Sequence, residues 1–260
     1  MIESGDEFIL KTQQVVNSNL PQISVVVCTY NREELLNEAL HSLEQQTLNP
    51  SLFEVLIINN NSTDGTQKLA EKFAARHMNF RVIIEKEQGL SHARNRGWKE
   101  AKGEYIAYMD DDAKATPDWC ARILQSFTTV EPQPSIVGGK ILPWCEVEPP
   151  DWFSDELEIR SWGEDAKFLE LPERKFGFSG SNMASPKKIL KDFKCFSTEL
   201  GMVGNKLGFS EEAELFFRIR DEDKRYWYDP TIMVWHFTPE KIHEGFLLLQ
   251  TDLYCWENAV

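Results

Sequence analysis

The stretch ISVVVCTYNREELLNEALHSL (23–43) governs how the rest of the chain is read. Its first part, ISVVVCTY (23–30), is a continuous apolar run of strand length, which suits a strand buried on both faces. Asn31, with Glu34 three residues on, has the form of a capping box, and Tyr30 and Leu35 are placed as a hydrophobic staple. Leu35, Leu36, Ala39, Leu40 and Leu43 then fall on one helical face. A strand that runs into an amphipathic helix is the opening unit of an alternating β-α chain.

The unit recurs downstream. FEVLII (53–58) reads as a strand, NNNSTDG as a turn, and Gln67–Arg76 as a helix buried through Leu69 and Phe73. RVIIEK (81–86) is a third strand, and GLSHARNRGWKEA leads into a helix packed through Ala93, Gly97 and Ala101. EYIAYMD (104–110) is a fourth strand ending in acid. Thr116-Pro117 starts another helix with proline at its first position, and SIVGGKIL (135–142) is a further strand. Strands alternating with helices predict an α/β fold with a mostly parallel central sheet flanked by helices. In such sheets ligands bind beyond the carboxyl ends of the strands. Three polar clusters lie at those ends: Thr29-Tyr30-Asn31, Asn59-Asn60-Asn61-Ser62 and Asp110-Asp111-Asp112.

The second half has a different texture. Residues 144–176 carry ten acidic and four basic residues among Trp and Pro and read as an irregular loop or subdomain. GFSGSNMAS (177–185) is turn-rich and nearly uncharged, and Gly201–Gly208 reads as a flexible loop. Ser210 caps a helix reaching about Arg220, with Glu211 and Glu212 in its first turn. TIMVWHF (231–237) is a last apolar strand. The expected division is an N-terminal arm (1–20), a ligand-binding half (21–143), a second half of the same domain (144–239) and a C-terminal helix (240–260) with Ile242, Phe246, Leu249 and Leu253 on one stripe. That last helix is open to packing on the core, to homodimer formation or to peripheral membrane contact.

Composition narrows the function classes. The chain has 260 residues and a formal net charge of -14, so it repels phosphate polymers and nucleic acid is not an expected partner. Its five cysteines are widely spaced with no C-x-x-C, which argues against a disulfide framework or a thiolate zinc site. The start shows no basic region followed by an apolar stretch, and no apolar run approaches the length of a membrane span, so the expected location is the cytoplasm. There is no G-x-x-x-x-G-K-[ST], no G-x-G-x-x-G and no G-x-S-x-G.

Three adjacent carboxylates at a strand end repel one another unless a cation lies among them. Alternate residues of an extended segment point the same way, so Asp110 and Asp112 can address one ion, and hard oxygen ligands favour Mg²⁺ or Mn²⁺. His236, after an apolar strand, is either a core histidine or a nitrogen ligand to that ion. Glu211 and Glu212 either pair with a helix dipole or include a general base. Arg94 and Asn95, after a glycine turn, suit a phosphate or ribose contact.

Together SVVVCTYNR (24–32), INNNSTDGT (58–66), QGLSHARNRG (88–97), YMDDDA (108–113), GFSGSNMA (177–184) and GFSEEAELFFR (208–218), followed by YDPTIMVWH, resemble the inverting family 2 glycosyltransferases. GLSHARNRG, GGKILPW and SGSNMA look closest to bacterial members serving surface polysaccharide assembly. The resemblance implies the GT-A fold, also called the nucleotide-diphospho-sugar transferase fold. It implies transfer of a sugar from a nucleotide-sugar donor, a UDP-sugar first, to a saccharide or lipid-linked saccharide acceptor, at the inner face of a membrane where the acceptor is lipid-linked. It places Thr29, Tyr30, Asn31, Asn59, Arg94, Asn95, Asp110 and Asp111 on the donor and Asp110, Asp112 and His236 on Mn²⁺ or Mg²⁺. Glu212 aligns with the catalytic base and Glu211 stands beside it as the alternative. Two positions depart from the pattern: Asn59 replaces an aspartate that holds uracil, and Glu212 replaces an aspartate, lengthening the arm by one methylene. They leave room for a non-catalytic sugar-nucleotide binder. A sugar nucleotidyltransferase would need a glycine-rich basic loop after the first strand, where this chain has CTYNREE.

Overall fold

The computed structural model describes residues 20–149, 158–170, 177–203, 211–220, 222 and 224–240. The expected N-terminal arm, the C-terminal helix and the Ser210 cap lie outside the described residues. Four strands, β1 (Ile23–Thr29), β2 (Phe53–Asn59), β3 (Phe80–Ile84) and β4 (Tyr105–Asp110), alternate with three helices, α1 (Glu33–Glu44), α2 (Thr66–Arg76) and α3 (Leu90–Glu100). Then come β5 (Ala113–Ala115), α4 (Trp119–Thr129), β6 (Ile136–Cys145), β7 (Lys167–Phe168), β8 (Met183–Pro186), α5 (Lys187–Asp192), α6 (Glu211–Arg220) and β9 (Tyr226–Thr238).

The strands form one sheet in the order β3-β2-β1-β4-β8-β6-β9-β5, with β7 paired to β9. Strands β1 to β4 are mutually parallel. Strand β8 is antiparallel to both β4 and β6, so the second half of the chain continues the same sheet. Register aligns the strand ends that matter. Thr29 lies opposite Asn59, and Cys28 opposite Asp110.

The apolar run of β1 explains why helices cover both faces. Ile23, Val25 and Val27 join Leu36, Ala39, Leu40 and Leu43 of α1 in one core cluster. Val26 points the other way, into a cluster with Ala93 of α3 and Leu215, Phe216 and Ile219 of α6. Leu35, expected on the buried stripe of α1, is only partly covered.

Several local expectations need correction. Asn31 does not cap α1. It adopts φ 51°, its Oδ1 accepts a hydrogen bond from the Thr63 amide at 2.7 Å, and the helix starts one residue later from Arg32 without a side-chain cap. Pro117 is not the first residue of α4, because a turn at Pro117-Asp118 precedes Trp119. GFSGSNMAS is more than a turn: Asn182 anchors its end through Oδ1, which accepts from Trp119 Nε1, and Met183 then enters β8. β6 runs on through Pro143 to Cys145, and β9 begins at Tyr226 because its early residues pair in parallel with β6 before the register shifts between Gly139 and Ile141.

Gly97 is where α3 presses on β1. A Cβ placed there would lie 2.3 Å from Val26 Cγ1. Gly97→Ala is expected to destabilise the fold by about 1–3 kcal/mol through overpacking. Thermal melting of the two proteins checks this, and an unchanged Tm contradicts the tight α3–β1 contact.

Candidate active site

A cavity of 360 Å³ opens at the carboxyl ends of β1 and β4. Thr29, Tyr30, Asp110, Asp111, Asp112 and His236 line it, so the first and third polar clusters of the sequence converge as the parallel topology requires. Cys28, Arg32, Asn60, Gln88, Leu90, Ala93 and Met202 complete the lining.

The short strand β5 accounts for the arrival of His236. Ala113 pairs with His236 in antiparallel register, and the Phe237 amide donates to the Asp112 carbonyl at 2.8 Å. The histidine is thereby delivered from far along the chain to the residue next to Asp112. One ligand atom from each of Asp110, Asp112 and His236 lies within 4.8 Å of the others. His236 Nε2 is 3.3 Å from Asp112 Oδ1, and that oxygen is buried without a hydrogen-bond partner. Two carboxylates, one imidazole and an unsatisfied buried oxygen fit the ligand set of a hard or borderline divalent ion. The electrostatics point the same way. Burial pushes the Asp110 carboxyl up, and burial followed by the neighbouring Asp112 charge pushes Asp111 up to about 7.

Arg94 is the hub of the site. It sits on α3 with its side chain 2% exposed. Its Nη2 donates to Asp110 Oδ1 at 3.2 Å, and its Nη1 lies 2.8 Å from Glu211 Oε1 and 2.9 Å from Glu212 Oε1. One guanidinium therefore spans the aspartate cluster and the two glutamates at the start of α6. Gly180 closes over it, and its amide donates to Glu212 Oε1 at 3.2 Å. A Cβ at position 180 would fall 2.0 Å from Arg94 Nη2 and 2.4 Å from Glu212 Oε1, so only glycine lets the chain pass there.

The two glutamates are unequal. Burial pushes the Glu211 carboxyl up to about 7, against the pull of Arg94. Burial also acts on Glu212, but Arg94 and the backbone amides outweigh it and hold that carboxyl below its ordinary value. A proton shared by this acid pair therefore resides on Glu211 rather than on Glu212. Glu212 is also the more accessible, at 22% against 5% for the side chain of Glu211.

Other residues proposed from sequence are placed elsewhere. Asn59 does not line the cavity. Its Nδ2 donates to Gln67 Oε1 at 2.6 Å and its Oδ1 accepts from the Ser62 amide at 2.9 Å, which closes the loop after β2. Its neighbour Asn60 reaches the cavity instead, tied to the Glu85 and Glu87 carbonyls and to the Gly89 amide. Asn95 faces away and clamps Phe196 through both backbone groups. Asn31 joins the loops after β1 and β2. Trp144 packs edge-on to Phe237 with Lys114 over its ring, and Trp162 Nε1 donates to the Gly177 carbonyl. Neither lines the cavity. Arg32 and Gly180 stood inside quoted motifs without a role of their own, and Asn60 was named only as a member of the polar cluster after the second strand.

An acid pair of metal-binding type at the tip of a central strand thus faces a carboxylate pair across a shared arginine. Residues 24–193 match the profile of glycosyl transferase family 2, and the chain belongs to that family. It is 26% identical over 203 residues to the glucosyl-dolichyl phosphate glucuronosyltransferase of Haloferax volcanii, covering 77% of this chain and 64% of that one. It is 23% identical over 209 residues to the GalNAc(5)-diNAcBac-PP-undecaprenol beta-1,3-glucosyltransferase of Campylobacter jejuni, covering 80% and 62%. The chain thus spans less than two thirds of the length of these relatives. Among solved structures, the mannosyltransferase PcManGT of Pyrobaculum calidifontis, in complex with GDP-Man and Mn²⁺, superposes with a TM-score of 0.64 at 20% identity, covering 93% of this chain and 67% of that one. The likeness establishes the GT-A fold.

A titration test follows from Glu211. A carboxyl raised from 4.5 to about 7 binds its proton more tightly in the folded than in the unfolded chain, so its contribution to stability falls as pH rises through that window. Glu211→Gln is expected to raise Tm at about pH 8 and by clearly less at about pH 5. Thermal melts at both pH values check it, and an equal shift contradicts the raised pKa.

Proposed function

We propose that the chain is a metal-dependent inverting glycosyltransferase that moves a sugar from a nucleoside diphosphate sugar, a UDP-sugar in the first instance, to a hydroxyl acceptor in polysaccharide or glycoconjugate synthesis. The observation that carries this reading is the single guanidinium of Arg94 joining Asp110 on one side to Glu212 on the other. It sets the aspartates of the candidate ion site and an ionised carboxylate on either side of one buried guanidinium.

The cavity at the strand ends receives the donor, with Thr29 and Tyr30 beside the base and ribose. Asn59 acts on the base only through the loop it closes, so Asn60 and Gln88 supply the polar edge there. Arg94 acts through the carboxylates it holds. Asp110, Asp112 and His236 hold Mn²⁺ or Mg²⁺. Such an ion, when bound, offsets the charge that develops on the departing diphosphate. Glu212 takes the proton from the acceptor hydroxyl. That oxygen bonds to the anomeric carbon from the face opposite the leaving group, the carbon–oxygen bond to the diphosphate breaks, and the nucleoside diphosphate departs with the bonding pair. Gly180 and Arg94 keep the Glu212 carboxylate ionised and fixed for this step. Cys28 plays no nucleophilic part, because burial holds its thiol protonated.

Water must be kept from the donor, since it competes with the acceptor. Residues 199–209 are the candidate lid in this reading, and 204–209 of them lie outside the described residues. The Leu90 amide binds the Met202 carbonyl at 2.8 Å and Ser91 Oγ the Leu200 carbonyl at 2.8 Å, so its first part is hinged on α3 beside the cavity. The lipid-phosphate and lipid-diphosphate terms in the relatives' names support a lipid-linked acceptor. In this reading the chain works in the cytoplasm at the inner face of the membrane, by peripheral contact or as a homodimer. No helix among the described residues is long and apolar enough to cross a membrane.

Substitution of the two glutamates tests the assignment. Glu212→Gln is expected to lower kcat by about 10²–10⁴-fold with donor binding preserved in a thermal-shift assay, whereas Glu211→Gln keeps activity within about tenfold of wild type. Equal transfer by wild type and Glu212→Gln contradicts the base assignment. Donor binding by wild type with no transfer to any acceptor makes the protein a binder.

A further inference from the structure

A second guanidinium, Arg32, reaches the aspartate cluster. Its backbone is fixed: its amide donates to Thr66 Oγ1 at 3.2 Å, and its carbonyl accepts the first α1 hydrogen bond from the Leu36 amide at 2.9 Å. From there the side chain crosses the cavity wall and pairs with Asp112 Oδ2, with Asp111 Oδ1 at 3.4 Å. Its surroundings differ from those of Arg94 in a way that matters. Arg94 is 2% exposed and locked by three carboxylates, whereas the Arg32 side chain is 40% exposed and held by two. The Arg32 guanidinium is thus open to solvent on one side, although its carboxylates are 14% and 8% exposed, and it is held less firmly than Arg94.

Arg32 binds the same carboxylate that the ion site needs. Asp112 is one of the three ligand residues: Arg32 pairs with its Oδ2 while its Oδ1 faces His236, so the guanidinium and an ion would share the charge of one carboxylate and repel each other across it. Arg32 also lines the cavity that takes the donor. A guanidinium freed from Asp112 at that point has a planar set of donors and no carboxylate to satisfy them, and phosphate oxygens match that geometry.

We propose that Arg32 is a tethered counter-cation: it holds Asp112 in the unloaded enzyme, yields that carboxylate to the divalent ion, and turns to the diphosphate of the donor. The proposal rests on the reading of the site given above. It predicts opposite signs for two affinities, which a purely structural arginine would not produce. Without Arg32, the ion binds more tightly because a repelling charge is gone. The diphosphate binds more weakly because a partner is lost.

The test uses the full chain as wild type, Arg32→Gln and Arg32→Lys, with melting curves to show that each is folded. Binding of Mn²⁺ alone is followed by the paramagnetic resonance of the free ion, and binding of UDP at saturating Mn²⁺ by calorimetry. Arg32→Gln is expected to bind Mn²⁺ about two- to fivefold more tightly and UDP about tenfold or more weakly, with Arg32→Lys between wild type and Arg32→Gln in both. Equal Mn²⁺ affinity in wild type and Arg32→Gln, or unchanged UDP affinity, overturns the role of Arg32 while leaving the metal site intact. Failure of all three proteins to bind Mn²⁺ removes the metal reading and this one with it.

Discussion

The site is organised by one buried positive charge beneath three carboxylates. Arg94 is almost fully out of water, and such a group persists in a low-dielectric interior only when it is paired and hydrogen-bonded. Its partners come from the end of β4 and from the first turn of α6, and the Gly180 backbone packs directly over it. The pairing cannot be dismantled piecemeal, because removing the arginine would leave Asp110, Glu211 and Glu212 facing one another. One cation against three acids also leaves an excess of negative charge. Glu211 answers it by retaining its proton, and the aspartates answer it by inviting a second cation.

The sheet supplies the geometry that this electrostatic arrangement requires. Parallel strands bring their carboxyl ends to one edge, where Thr29 and Asp110 border the cavity. Antiparallel β8 joins the second half of the chain to that sheet, and a register shift between Gly139 and Ile141 redirects β9 past the same edge. The three residues of β5 then hold His236 beside Asp112. Thr29, Asp110 and His236, far apart in sequence, meet because two pairing modes coexist in one sheet.

Much of this was legible in the residues themselves. The apolar run 23–30 and its repeats specified a doubly covered parallel sheet, because side chains on both faces of those strands had to be buried. The acidic triplet stood at a strand end, and Asp110 and Asp112 do converge, though through a turn at Asp111-Asp112 rather than by alternation along an extended segment. What could not be read depended on long-range pairing. β8 is four residues long and β5 three, too short for a period to show, so the route that brings His236 to the ion site was hidden. Asn59 and Asn60 are chemically identical neighbours, and only the loop's internal hydrogen bonds decide which one reaches the cavity. The burial of Arg94 was likewise unforeseeable, since its three partners lie 16, 117 and 118 residues away along the chain.

The central claim is that the tip of β4 holds one divalent ion next to a nucleoside diphosphate. Crystals grown with MnCl₂ and UDP and measured at the manganese absorption edge test it most directly. The account predicts one anomalous peak per chain at coordinating distance from Asp112 and His236, with diphosphate density adjoining it in the cavity. Diphosphate density in the cavity with no manganese peak beside the aspartates would contradict it.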